Sequence, residues 1–209
     1  MITIVDYGYG NIFSILSAFH KIGHECKVSD KKADIINSDI IVLPGVGAFK
    51  HAMKSLENKG LDKVIIEASA NDKKIIGICL GYQMLFNKSN EFGQHNGLGL
   101  IDGEVNSLEL FGEGFKRVPN VGWRPLIINK QNNCLSNKNN KQMFYFVHSF
   151  VPVAKNELQI SSFIKFNNVK IHASVHYENI VGFQFHPEKS GEAGLSLLKE
   201  STEYLFKKN

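Results

Sequence analysis

Over the first ninety residues, short runs rich in isoleucine and valine alternate with longer stretches whose apolar positions recur every three or four residues. The runs cover residues 2–5, 40–43 and 75–79, and the helix-like stretches cover 12–22 and 49–70. This alternation predicts a parallel sheet with helices on both faces. In the first helix Ile12, Ile15, Leu16, Phe19 and Ile22 fall at helical spacing, with Asn11 placed to cap it and Gly23 to end it. From about residue 100 the pattern changes to strand-like segments at 103–108, 124–129, 143–147, 160–166, 169–176 and 180–185. The second half should add antiparallel strands, including a second small sheet and a hairpin turning at Asn167-Asn168. A final amphipathic helix is expected to bury Leu195, Leu198, Tyr204 and Leu205. Residues 130–142, rich in Asn and Lys, predict an exposed loop in which Cys134 is a bystander. The predicted class is α/β: an open, mostly parallel central sheet flanked by helices, with added antiparallel strands in the second half, and residues 1–209 as one domain.

Composition narrows the chemistry. With 43% hydrophobic and 21% charged residues the chain is globular rather than disordered. At 209 residues it can bury ~70% of its surface, so no metal or disulfide is needed as a staple. The net charge of +4 is carried almost wholly by lysine, since Arg117 and Arg124 are the only arginines. Without arginine forks or a dense basic run, nucleic acid is not an expected partner. Cys26, Cys79 and Cys134 form no CxxC pair, which disfavours zinc and leaves a thiol free for other work. Apolar stretches such as 75–80 fall far short of the ~20 residues a bilayer requires, so no membrane role is expected. The opening Met1-Ile2-Thr3-Ile4-Val5-Asp6 reads as a first strand rather than a signal peptide, giving an expectation of a cytoplasmic protein. Gly8 and Gly10 hint at a dinucleotide fingerprint, but Phe13 stands in place of its third glycine and no Walker sequence occurs, so no cofactor is expected.

The sharpest local signal is Gly77-Ile78-Cys79-Leu80-Gly81, after an apolar strand and before a helical stretch containing Met84, Leu85 and Phe86. It is a nucleophile elbow with sulfur in place of oxygen. A helix N-terminus there would lower the thiol's pKa, and the N–H of Leu80 would point where an oxyanion forms. On the pentapeptide alone, a buried structural cysteine is an equal reading. A cysteine nucleophile needs a base, and Phe185-His186-Pro187-Glu188 supplies one. Proline keeps His186 in extended backbone at a strand end. If the extension continues, Glu188 lies on the same side as His186 and orients its ring. His20, His24, His51, His95, His172 and His176 have no such setting. A third element, Leu43-Pro44-Gly45-Val46-Gly47-Ala48-Phe49, succeeds the 40–43 strand and could expose backbone N–H groups to a carbonyl oxygen, or could be a plain strand-to-helix turn.

Together, the Pro44-to-Phe49 loop, the Cys79 elbow and His186-Pro187-Glu188 resemble the triad-type (class I) glutamine amidotransferases, in that chain order. Within that group the likeness is greatest to the glutaminase subunits of imidazole glycerol phosphate synthase. It extends to Asp6-Tyr7-Gly8-Tyr9-Gly10-Asn11, Gly81-Tyr82-Gln83, Pro119-Asn120-Val121-Gly122-Trp123 and Tyr145-Phe146-Val147-His148-Ser149-Phe150, and so spans nearly the whole chain.

The resemblance implies hydrolysis of glutamine to glutamate and ammonia through a thioester on Cys79, with His186 and Glu188 completing the catalytic triad. It implies oxyanion donors at Leu80 and in the Val46-Gly47 backbone, after the Gly45 to Gly47 peptide reorients. It implies substrate contacts at Gly45, Gln83, His148, Ser149 and Phe150. It also implies a (β/α)8-barrel cyclase subunit as partner, which takes the ammonia to make imidazole glycerol phosphate in histidine biosynthesis, with Asn11, Trp123, Tyr145 and Lys189 at the docking face. Three positions depart from the usual pattern: Asn120 for histidine, Arg124 for asparagine and Phe150 for tyrosine. The first two are expected on the partner side. They leave open a paralogous glutaminase supplying ammonia to amidinate a bacterial surface sugar. A non-catalytic regulatory subunit is the alternative of another class.

Overall fold

The computed structural model describes residues 1–112, 118–129, 135–166 and 169–207. The first half runs β1 (Ile2–Val5), α1 (Ile12–Lys21), β2 (Cys26–Ser29), α2 (Lys32–Ile36), β3 (Ile40–Leu43), α3 (Phe49–Asn58), α4 (Leu61–Ala70), β4 (Lys74–Ile78) and α5 (Leu80–Met84). Strands dominate the second half: β5 (Phe86–Ser89), β6 (His95–Asn96), β7 (Ile101–Ser107), β8 (Asn120–Pro125), β9 (Ile127–Ile128), β10 (Met143–His148), β11 (Phe150–Ala154), β12 (Ile160–Phe166), β13 (Val169–Tyr177) and β14 (Ile180–Phe183). Helix α6 (Gly191–Lys207) comes last.

The main sheet has the order β2-β1-β3-β4-β14-β13-β12-β9. Its first five strands are parallel and the remaining pairings antiparallel, which is the mixed architecture expected. The apolar runs show no polar alternation because both faces are covered. On one face Ile4, Val42, Ile76 and Phe183 pack with Ile15 and Phe19 of α1 and Leu198 of α6. On the other, Ile41, Leu43 and Ile75 pack with Leu56 of α3 and Ile65 of α4. Asn11 caps α1 as expected, its Oδ1 accepting from the Ser14 N–H at 3.3 Å.

Several boundaries differ from expectation, each for a local reason. The 49–70 stretch is two helices, because Gly60 takes φ 62° and redirects the chain between them. The helix after Cys79 ends at Met84, and Phe86 already belongs to β5. Two smaller sheets form among the described residues: a β8–β10 ribbon and the sheet β11-β7-β5-β6. In α6, Leu198 and Leu205 are buried, Leu195 and Tyr204 only partly, and Leu197 also lies in the core. The 130–142 loop is not wholly exposed: Leu135 and Asn139 are buried, and Glu200 of α6 accepts from Ser136 N and Asn139 Nδ2. Cys134 and the predicted turn at Asn167-Asn168 lie outside the described residues; the flanking strands β12 and β13 pair antiparallel. No described helix is long and apolar enough to cross a membrane.

Candidate active site

Strands β3, β4 and β14 are neighbours, so the segments that leave their C-terminal ends converge. At the end of β4, Cys79 adopts φ 55° and ψ −110°, a conformation that costs a side-chain-bearing residue energy and marks a sharp strand-to-helix elbow. Its N–H donates to Phe183 O of β14 at 2.7 Å, and its carbonyl accepts from Gln83 N at 3.1 Å, so the strained turn is held from both sides. The elbow also packs tightly on the β3 end. A Cβ at Gly81 would overlap the Leu43 carbonyl oxygen, and one at Gly45 would lie 2.5 Å from Gly81 N. Only glycine at these positions allows the two loops to touch, and their contact brings Val46 and Gly47 beside Cys79. Helix α5 has only five residues, with Cys79 at its N-cap.

His186 lies just beyond β14 in extended backbone, with φ −103° and ψ 93°. The extension stops there: Pro187–Lys189 is a 3-10 turn, and this turn, not continued strand alternation, carries Glu188 back to the imidazole. His186 Nδ1 donates to Glu188 Oε1 at 2.7 Å, with both side chains almost wholly buried. The backbone around the ring is clamped, since His186 N donates to Tyr145 O at 3.0 Å and Ser190 Oγ donates to His186 O at 2.6 Å. Burial disfavours the imidazolium, but the Cys79 sulfur and the Glu188 carboxylate outweigh it and raise the His186 pKa to about 10. With Nδ1 committed to Glu188, His186 Nε2 is the nitrogen left for proton transfer with Cys79.

Cys79 and His186 line one cleft of about 400 Å³ with Val46, Gly47, Leu80, Gln83, His148, Ser149 and Phe150. Its size and its few convergent polar groups suit a small polar ligand. Gln83 Nε2 donates to Phe150 O at 2.9 Å and to Gln184 Oε1 at 3.1 Å. Both amide hydrogens are thus used, and a ligand would meet Gln83 through its Oε1. Gly45 supports the cleft from behind through its contact with Gly81. Glu188 sits behind His186, on the side facing α1 and α6.

Of the residues expected at a docking face, Asn11 caps α1, while Trp123 is exposed and packs edge-on to Tyr145 with centroids 6.0 Å apart. Lys189 closes the 3-10 turn that holds Glu188. Asn120 departs from expectation. It is 2% exposed and bonded to His148 at the back of the cleft, because alternation along β8 turns 120 and 124 to one side and Val121 and Trp123 to the other.

Sequence reasoning missed Gln184, whose Nε2 lies 3.9 Å from Cys79 Sγ, and the cleft residues Glu91 and Pro119. Gln184 had a signal, a polar residue two positions before His186 in an otherwise apolar strand. Glu91 is brought in by tertiary contact, its Oε2 accepting from Phe49 N at 2.5 Å.

Residues 3–203 match the family described as Glutamine amidotransferase class-I. The chain is 38% identical to an imidazole glycerol phosphate synthase subunit HisH of Wolinella succinogenes, covering 97% of this chain and 99% of that protein. It is 40% identical to the subunit of the same name from Oceanobacillus iheyensis, covering 98% and 100%. Among solved structures, one described as a glutamine amidotransferase aligns with a TM-score of 0.74 at 16% identity, covering 97% of this chain and all of that one. At that identity the likeness speaks for the fold.

Proposed function

The chain belongs to the class I glutamine amidotransferases, and from that premise we propose that the cleft around Cys79 is its glutaminase centre, with Cys79, His186 and Glu188 as the triad. The enzyme hydrolyses glutamine to glutamate and ammonia, as the glutaminase subunit of imidazole glycerol phosphate synthase in histidine biosynthesis. The observation that carries the catalytic assignment is a strained, cleft-facing thiol beside a buried imidazole held at 2.7 Å by a carboxylate.

His186 takes the proton of the Cys79 thiol as the sulfur attacks, and its partners favour the protonated ring. The sulfur attacks the side-chain amide carbon of glutamine, and the oxyanion is held by N–H groups of Leu80 and the Val46-Gly47 segment. His186 gives its proton to the leaving nitrogen as the C–N bond breaks, releasing ammonia and leaving a glutamyl thioester. Water then loses a proton to His186 and adds to the thioester carbon, and the C–S bond breaks to give glutamate and free Cys79. Gln83, His148, Ser149 and Phe150 form the wall that meets the amino-acid part of the substrate.

Free ammonia in neutral water becomes unreactive ammonium, so the product is useful only when handed directly to a synthase. The partner is a cyclase subunit, and we infer a (β/α)8 barrel for it. The outer face of the β8–β10 ribbon supports a docking surface there. In register, Val121 faces Val147, Trp123 faces Tyr145 and Pro125 faces Met143, and among the described residues this apolar stripe has no covering layer. Asn11 and Lys189 are assigned to the rim of the same interface. The free thiol at Cys79 that the reaction needs fits a reducing, cytoplasmic setting. The matched span supports treating 1–209 as one domain.

Glutamine hydrolysis by the subunit, alone and with the cyclase and its ribotide substrate, tests this reading. Ammonia release that rises with the occupied cyclase and vanishes in Cys79→Ala supports it, and no ammonia under either condition overturns it.

A further inference from the structure

Asn120, Arg124 and His148 form a hydrogen-bond chain at the back of the cleft. His148 Nδ1 lies 2.9 Å from Phe150 O, which can only accept, so Nδ1 carries a hydrogen. Burial, and secondarily the cationic His186 and Arg124, outweigh that hydrogen bond and depress the His148 pKa to about 4, so the ring is neutral and Nε2 is a bare lone pair. Nε2 accepts from Asn120 Nδ2 at 3.0 Å. This sets the orientation of the Asn120 amide, whose Oδ1 turns the other way and accepts from Arg124 Nε at 3.1 Å. Arg124 is held in turn by Nη1 donating to Trp123 O at 3.3 Å and by its guanidinium 5.0 Å above the Phe166 ring. At the far end, Phe150 O also accepts from Gln83 Nε2 at 2.9 Å.

Phe150 offers the cleft no polar side-chain atom, so its position is controlled through its backbone, and two N–H groups converge on that one carbonyl. If the Arg124 donor is lost, Asn120 Oδ1 is left buried without a donor. The amide can then rotate and present oxygen to His148 Nε2. That arrangement is favourable only with hydrogen on Nε2, and a neutral ring then gives up its bond to Phe150 O. A guanidinium suits the post because it never loses its proton and so never becomes an acceptor.

We propose that Arg124, acting through Asn120, is a positioning residue for glutamine binding: it locks His148 as the Nδ1–H tautomer, so that His148 and Gln83 together pin the Ser149-Phe150 wall of the cleft. This rests on the glutaminase reading above. Arg124→Met keeps an apolar stem over Phe166 and removes the donor, and residue 124 is only partly buried, so the fold should survive. In the complex with the occupied cyclase, the KM for glutamine should rise about tenfold with little change in kcat, as expected for lost ground-state positioning. The ¹⁵N signals of the His148 ring, read in the isolated subunit without substrate, should change from one Nδ1–H tautomer to a mixture. Arg124→Lys, which retains a charged donor, should recover part of both. An unchanged KM, or an unchanged tautomer in Arg124→Met, overturns the proposal. If the wild-type complex releases no ammonia, the glutaminase reading has failed instead, and the ring signals still decide the relay.

Discussion

His186 and Glu188 meet through a 2.7 Å Nδ1–H···Oε1 hydrogen bond, with side chains 3% and 1% exposed, across a 3-10 turn of three residues. A carboxylate buried at that distance holds the ring in one tautomer and favours its charged form. Glu188→Gln keeps the shape and removes the charge. Glutaminase kcat should fall by ~10²–10⁴-fold, in the range seen when the orienting acid of a triad is neutralised. The pKa of His186, about 10 in the native site, should move down, drawing the alkaline limb of the kcat profile toward neutral pH. A profile unchanged in position and height would show that Glu188 does not tune the base.

The backbone at Cys79 stores strain that the proposed chemistry requires and stability does not. At φ 55° and ψ −110°, a glycine would sit more comfortably than any residue with a Cβ. Cys79→Gly should therefore be roughly 1–2 kcal/mol more stable than Cys79→Ala in chemical denaturation, while both lack activity. Equal stability of the two variants would mean that the elbow is relaxed.

Two histidines link stability to pH in opposite directions. His148 is held neutral with a pKa of about 4, below the ordinary ~6.5, so the unfolded chain takes up a proton first. Stability should fall as pH drops from about 6.5 toward 4, by up to about 1.4 kcal/mol per pH unit from this group. His186 is raised to about 10, so its contribution is complete below about 6.5 and is lost as pH rises through 10. Urea midpoints at pH 5, 7 and 10 check both limbs. In His148→Gln the difference between pH 7 and pH 5 should shrink, and a difference of the same size would remove His148 from the account.

Trp123 lies exposed on the apolar stripe of the β8–β10 ribbon and packs edge-on to Tyr145. Trp123→Ala should weaken binding to the cyclase subunit by about 10–100-fold, the loss expected of a central aromatic anchor. The melting temperature of the isolated subunit should stay nearly constant. Titration of the stimulated activity with cyclase measures the first effect, and an unshifted titration would move the interface elsewhere on the surface.

The strands of the parallel half were legible because burial on both faces leaves continuous apolar runs at residues 2–5, 40–43 and 75–79. The proposed triad was legible because its local requirements are written in neighbouring residues: small residues around a cysteine at a strand end, and proline and glutamate after a histidine. The break at Gly60 was not legible, since an isolated glycine within a helical pattern does not say whether the chain bends. Nor was the place of Asn120, because a polar residue in a short strand faces inward or outward according to a register that its own neighbours do not determine.

By itself, then, the amino-acid order determined which side chains could serve as nucleophile, base and orienting acid, for these depend on bonding within a few residues. Only the folded arrangement decided that Gly81 and Gly45 interlock, that Gln184 reaches the sulfur, and that Asn120 and Arg124 line up behind His148. Each of those is a contact set by sheet order and packing against neighbours that no local pattern encodes.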